Sequence, residues 1–138
     1  MVVVSLFDGM SGAQLALQKA NIPVTTYYAS EVDKHAIKVT QDNFPNTIQL
    51  GDVTKITKDQ FPEGVDLLIG GSPCTDLSIA KSNRKSLEGD ASGLFYEYHR
   101  LLKELKPKWF LLENVASMNR ESKAAITELM GVDCIAIN

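Results

Sequence analysis

Cys74 is the residue of this chain best placed to do chemistry. It stands in Gly70-Gly71-Ser72-Pro73-Cys74-Thr75-Asp76-Leu77-Ser78, just after Asp66-Leu67-Leu68-Ile69, which reads as a buried strand. A thiol that follows two glycines and a proline is held on a stiff turn at a strand end, where nucleophiles are commonly presented. Lys81, Arg84 and Lys85 come soon after it, and nearby cations favour the thiolate. The next strand-like run, Trp109 to Leu112, ends in Glu113-Asn114-Val115. If the two runs are neighbours in a sheet, Cys74 and Glu113 meet at one edge, a nucleophile beside a carboxyl able to move a proton.

Three more strand ends carry groups suited to a ligand. Phe7-Asp8-Gly9-Met10-Ser11-Gly12 leads from a strand into a helix. Glycines there let the backbone approach a ligand, and the helix start offers N–H groups. Glu31 follows about twenty residues later, where an acid can accept hydrogen bonds from both ribose hydroxyls of a nucleoside. Gly51-Asp52-Val53 ends the third strand, and Asp52 is able to reach an adenine amino group; taken alone it is an ordinary turn aspartate. Together these ends describe an adenosine pocket. They do not describe a dinucleotide or triphosphate pocket, because neither G-x-G-x-x-G nor G-x-x-x-x-G-K-[ST] is present.

The elements that must position these groups alternate along the chain. Strands are expected at Val2–Phe7, Val24–Ala29, Thr47–Leu50, Asp66–Ile69, Trp109–Leu112 and Val132–Ile137. Helices are expected around Ala13, Ala16, Leu17 and Ala20, over Asp33–Asn43 with Asp33 as cap, along Leu94, Tyr98, Leu101, Leu102 and Leu105, and around Ile126, Leu129 and Met130. Strict alternation implies an α/β fold with a mostly parallel sheet covered on both faces, and ligands bind beyond the carboxyl ends of such strands. Residues 79 to 92 are polar and read as a loop. Tyr27, Trp109 and Phe110 read as core, His35 and His99 as structural or surface residues. Cys134, within the last apolar run, reads as a buried thiol. The two cysteines are too far apart in sequence to suggest a disulfide framework or a zinc site.

At 138 residues the chain is long enough for one domain with a real core. No apolar run is long enough to span a bilayer, and no basic segment precedes Val2-Val3-Val4, so a cytoplasmic protein is expected. The net charge of -3 is not that of a self-sufficient nucleic-acid binder. The basic footprint is local, at Lys81, Arg84 and Lys85, which suggests a part of a larger unit.

Pro73-Cys74 after a Gly-Gly strand end, with Glu113-Asn114-Val115 after the next strand, resembles the signature pair of the DNA cytosine-5 methyltransferases. Phe7-Asp8-Gly9, Glu31-Val32 and Gly51-Asp52-Val53 resemble that family's cofactor motifs in order and spacing, and Ser92-Gly93-Leu94-Phe95 resembles a further motif lining the cofactor pocket. The likeness runs from about residue 2 to 137, and Cys74-Thr75-Asp76-Leu77-Ser78 is closest to the de novo and phage-like type.

The resemblance implies a Rossmann-like S-adenosylmethionine-dependent methyltransferase fold, incomplete at its C-terminal end, with residues 1–138 as the catalytic domain and the target-recognition domain absent. It implies that Phe7 stacks on adenine, that Gly9 and Gly12 pack under the cofactor, and that Asp8, Val32 and Leu94 belong to the same site. Glu31 would hold the ribose and Asp52 the adenine amino group, with Val53 beside the ring. Pro73 would fix the turn, Cys74 attack carbon 6 of cytosine, Glu113 assist with a carboxyl pKa raised by burial, and Asn114 orient the catalytic turn. The partner would be double-stranded DNA with a flipped cytosine, contacted by Ser78, Lys81, Arg84 and Lys85, and S-adenosylhomocysteine would be the product. Target recognition would come from a further segment or a second chain, in a bacterial or phage setting. Two other readings stand beside this one: methylation of a transfer RNA, and a non-catalytic methyltransferase-like partner subunit.

Overall fold

The computed structural model describes residues 1–72, 92–115 and 120–137, with the side chains of Ser92 and Glu121 left aside. Strands β1 (Val2–Leu6), β2 (Thr26–Ser30), β3 (Ile48–Gln49), β4 (Leu67–Gly70) and β5 (Trp109–Leu112) form one sheet in the order β3-β2-β1-β4-β5. All four pairings are parallel. Helices α1 (Gly12–Lys19), α2 (Lys34–Asn43), α3 (Ser92–Leu105) and α4 (Arg120–Met130) complete the alternation. Two short 3₁₀ turns, Val53–Lys55 and Lys58–Gln60, lie between β3 and β4.

Period-two alternation sorts the strand residues onto two faces. Val4, Leu6, Tyr28 and Leu68 join one core, packed with Val53, Ile56 and Phe61 and with Tyr98, Leu101 and Leu105 of α3. Val3, Tyr27, Ala29 and Ile69 join the other, under Leu17 of α1. All five residues of β1 are buried, as expected of a central parallel strand covered on both sides. Burying side chains such as Leu6 or Leu68 stabilises the fold by roughly 1.5–3 kcal/mol each.

Local chemistry sets the boundaries. The Asp33 side chain accepts from His35 N at 2.7 Å and Ala36 N at 3.0 Å, capping α2 as expected. Those amides hold its carboxyl below the usual range. A Cβ on Gly70 would fall 2.8 Å from Cδ2 of the Tyr98 ring, so glycine there lets α3 lie directly on the end of β4. Leu94, one turn earlier on α3, is thereby carried to the strand-end side of the sheet.

Three expectations are corrected at the far end of the sheet. Residues 132–137 form no strand and are exposed; Gly131, at φ 69, ends α4, and the chain beyond it pairs with no strand. Cys134 is exposed rather than buried, with Sγ 3.8 Å from Thr127 Oγ1. Trp109 is 57% and Phe110 36% exposed, so neither is core. With no described strand beyond it, β5 is the edge of the sheet, and Trp109 and Phe110 stand exposed there. Its apolar run has the pattern of a buried strand, but Leu112 alone packs against the described core and the other three side chains are exposed. Tyr27 is core as expected, His35 is exposed and His99 half-buried.

Candidate active site

The carboxyl ends of β1, β2 and β3 surround a cleft of about 470 Å³ lined by Phe7, Ser30, Glu31, Val32, Gly51, Asp52, Val53 and Leu94. Six of the ten residues expected at the cofactor line it: Phe7, Glu31, Val32, Asp52, Val53 and Leu94. Gly51, part of the Gly51-Asp52-Val53 motif, also lines it, and so does Ser30, which was not singled out from the sequence although it precedes Glu31. Pro73 lies outside the described residues.

Glu31 is the hub of this cleft. Its Oε2 accepts the Gly9 amide at 2.8 Å, and its Oε1 accepts the amides of Val32 at 2.7 Å and Asp33 at 2.9 Å. The carboxylate thus ties the glycine turn after β1 to the end of β2. Asp52 Oδ1 accepts from Thr54 N at 2.9 Å and Thr54 Oγ1 at 2.8 Å, and these bonds, the backbone one foremost, hold its carboxyl below the usual range. Asp52 is therefore a turn aspartate and a cleft residue at once, since both bonds use one oxygen. Arg100 of α3 fixes the adjoining turn. Its Nη2 donates to Val53 O at 3.3 Å while Glu97 and Glu104 hold the guanidinium.

The Asp8 side chain is engaged within the protein itself. It does not line the cleft; it points inward, where Oδ1 accepts the Tyr27 hydroxyl at 2.7 Å and Oδ2 accepts the Ser11 hydroxyl. Phe7, Gly9 and Ser11 all have positive φ, at 56°, 58° and 60°. Only the glycine takes this conformation readily; the other two cost about 1–2 kcal/mol each. Ser11, the N-cap of α1, makes no side-chain cap bond because its hydroxyl goes to Asp8. Gly12 has no heavy atom within 4 Å of where its Cβ would stand. Gly9 and Gly12 therefore shape the turn beside the cleft without being part of its lining.

The ends of β4 and β5 meet as expected. Gly70 pairs with Leu112, and Glu113 N donates to Gly70 O at 2.9 Å. Asn114 Nδ2 donates to Ser72 O at 3.2 Å, bracing the chain two residues before Cys74. A Cβ on Gly71 would stand 3.2 Å from Glu113 Oε2, so glycine is what lets that carboxylate lie against the turn. Gly71→Ala is expected to leave thermal unfolding almost unchanged, because the group displaced is the end of a flexible side chain. Turnover should fall several-fold; unchanged turnover would mean that the position of the carboxylate is not critical. Glu113 itself is exposed among the described residues, not buried as expected. Cys74, Ser78, Lys81, Arg84 and Lys85 lie outside the described residues.

With a parallel sheet, a nucleoside-sized cleft at its carboxyl edge and a carboxylate farther along that edge, after β5, the chain has a Rossmann-like methyltransferase fold. Residues 1–130 match the family of C-5 cytosine-specific DNA methylases, and the chain belongs to that family. It is similar to the orphan methyltransferase M.SPRI of Bacillus phage SPR, 38% identical over 130 residues that make up 93% of this chain and 29% of that protein. It is also similar to the type II methyltransferase M.NgoPII of Neisseria gonorrhoeae, 39% identical over 127 residues, 90% of this chain and 36% of that protein. Among solved structures, the Dnmt2 methyltransferase of S. pombe superposes with a TM-score of 0.73 at 27% identity, over 95% of this chain and 40% of that one. The chain thus spans about a third or less of these curated relatives' length. No helix among the described residues is long and apolar enough to cross a membrane.

Proposed function

We propose that residues 1–138 are the catalytic, cofactor-binding domain of a DNA cytosine-5 methyltransferase that uses S-adenosylmethionine and a covalent Cys74 adduct. In this reading, target recognition is supplied by further chain or by a second subunit. The observation that carries it is that the Phe7–Glu31–Asp52 cleft, at the ends of β1 to β3, and Glu113, after β5, lie along one edge of one sheet. The donor set fits the cofactor. Glu31 and Asp52 are acceptors matched to ribose hydroxyls and an adenine amino group, between apolar walls of Phe7, Val53 and Leu94. The bound cofactor would supply an electrophilic methyl group on a sulfonium.

The remaining chemistry belongs to the chain. Carbon 5 of cytosine is a poor nucleophile while the ring is aromatic. Addition of the Cys74 thiolate to carbon 6 makes an enamine, as Glu113 neutralises the charge at ring nitrogen 3 with a proton. Carbon 5 then takes the methyl group. Loss of its proton and elimination of the Cys74 sulfur restore the ring and free the thiolate. Glu113 is exposed among the described residues, open to a base flipped onto it. Lys81, Arg84 and Lys85 would meet the phosphates beside the flipped nucleotide.

Trapping tests this reading. An oligonucleotide with 5-fluorocytosine cannot lose a proton from carbon 5, so methylation should halt at the thioether. A gel-stable adduct on duplex DNA, dependent on S-adenosylmethionine and lost in Cys74→Ala, is the expected result. An adduct on RNA alone would make the substrate RNA. No adduct on either from a protein that binds the cofactor, even with the recognition segment of a relative added, would sink the catalytic reading.

A further inference from the structure

We propose that Tyr27 is a positioning residue for the cofactor cleft, acting through Asp8 to hold the turn that presents Phe7 and the Gly9 amide. The inference rests on the cofactor reading and adds to it a residue that neither lines the cleft nor belongs to its motifs.

The turn 7–11 is held from strand β2 and the residue that follows it at three points. Asp8 N donates to Ser30 O at 3.1 Å, Gly9 N donates to Glu31 Oε2 at 2.8 Å, and Tyr27 OH donates to Asp8 Oδ1 at 2.7 Å. The first two use Ser30 and Glu31, which line the cleft. The third lies beneath it: Tyr27 is 4% exposed, and its ring is packed in the core with Val3, Leu17 and Ala29. Burial, and then the Asp8 charge, push its phenol far above the ordinary range, so it stays a donor at any working pH. A rigid, buried donor can fix where the Asp8 carboxylate sits. The second Asp8 oxygen then takes the Ser11 hydroxyl and holds Ser11 at φ 60.

The consequence is geometric. Phe7 and Ser11 occupy left-handed conformations that side chains avoid, and they keep them only while neighbouring bonds over-determine the turn. Without the Tyr27 bond the Asp8 carboxylate can swing, the turn relaxes, and the Phe7 ring leaves its place in the wall of the cleft. Among the described residues, Tyr27 is the phenol on this turn; Tyr28, the next residue, points to the opposite face and donates to Glu63 at 3.0 Å.

The test is Tyr27→Phe, which keeps the ring and removes the hydroxyl. Calorimetric titration with S-adenosylhomocysteine should show affinity about tenfold weaker, the loss of one hydrogen bond to a charged acceptor. In a Phe7→Ala background the same substitution should lower the melting temperature as before, yet cost almost no further affinity. Ser11→Ala, acting on the same carboxylate, should weaken binding several-fold with Tyr27 intact and serves as the readout if Tyr27→Phe does not fold. Equal affinity for Tyr27→Phe and wild type, or additive losses with Phe7→Ala, would overturn the positioning role alone. A folded wild type that does not bind would overturn the cofactor reading and this role with it.

Discussion

Glu31→Ala is expected to weaken S-adenosylhomocysteine binding by at least about 100-fold, the size of losing one or two bonds to a charged acceptor. Two causes add. The ribose loses its acceptor, and three backbone amides, those of Gly9, Val32 and Asp33, lose the partner that now holds them. The second cause predicts destabilisation in the absence of ligand, a fall in melting temperature of several degrees for a loss of about 1–2 kcal/mol in a domain of this size. Glu31→Gln separates the two. One end of the amide can still accept, but its NH₂ must then face an amide N–H at the other. Glutamine should therefore retain part of the stability while losing most of the affinity. Calorimetry with parallel thermal unfolding reads both. Affinity unchanged in Glu31→Ala would remove the acid from the cofactor site and leave it a purely structural tie.

Cys74→Ala and Glu113→Gln are expected to separate attack from proton transfer. Without the thiol no adduct can form, and turnover should drop by at least about 10³-fold, as when an enzyme loses its nucleophile. Glu113→Gln keeps the shape and a hydrogen-bond donor but cannot deliver a proton, and a cost of about 10²- to 10⁴-fold is expected. Neither change should alter S-adenosylhomocysteine affinity much, because Glu113 is not part of the cleft lining. Single-turnover methylation beside equilibrium titration distinguishes these effects. If Glu113→Gln weakened cofactor binding and left the methylation rate alone, the carboxylate would have to be reassigned from the base to the cofactor.

Most of the candidate site was legible in the sequence because it sits at strand ends. Buried parallel strands announce themselves as apolar runs, and the polar or glycine-rich residues that interrupt those runs are the ones brought to the carboxyl edge. That is why Phe7, Glu31, Asp52 and Val53, spread over three strand ends, could be grouped before their contacts were known. Leu94 came from the motif resemblance instead, and its place in the cleft depends on α3 lying close over Gly70. The bond from Asn114 to Ser72 and the closeness of Glu113 to Gly71 likewise follow once β4 and β5 are neighbours.

The misreadings share another cause. Val132–Ile137, Cys134, Trp109 and Phe110 were judged by their own apolarity, but burial belongs to a side chain and its cover together. A strand needs a partner to pair with, and an apolar face needs an element on top of it. The direction of the Asp8 side chain was not legible for a related reason, since an acid in a glycine-rich turn can point out to a ligand or in to a buried hydroxyl, and its neighbours in sequence do not decide between them.

What the sequence by itself determined is the alternation of elements, the family, and the chemical types that gather at one edge, because these depend on local periodicity and on spacing along the chain. Only the tertiary structure decided which groups are already engaged: Glu31 on three amides, Asp52 on Thr54, and Asp8 on Tyr27 and Ser11. Two of these bonds, Gly9 to Glu31 and Tyr27 to Asp8, join positions about twenty residues apart, and hydrogen bonding acts over distances in space that the order of residues does not contain; the local ones depend on which way each carboxylate turns.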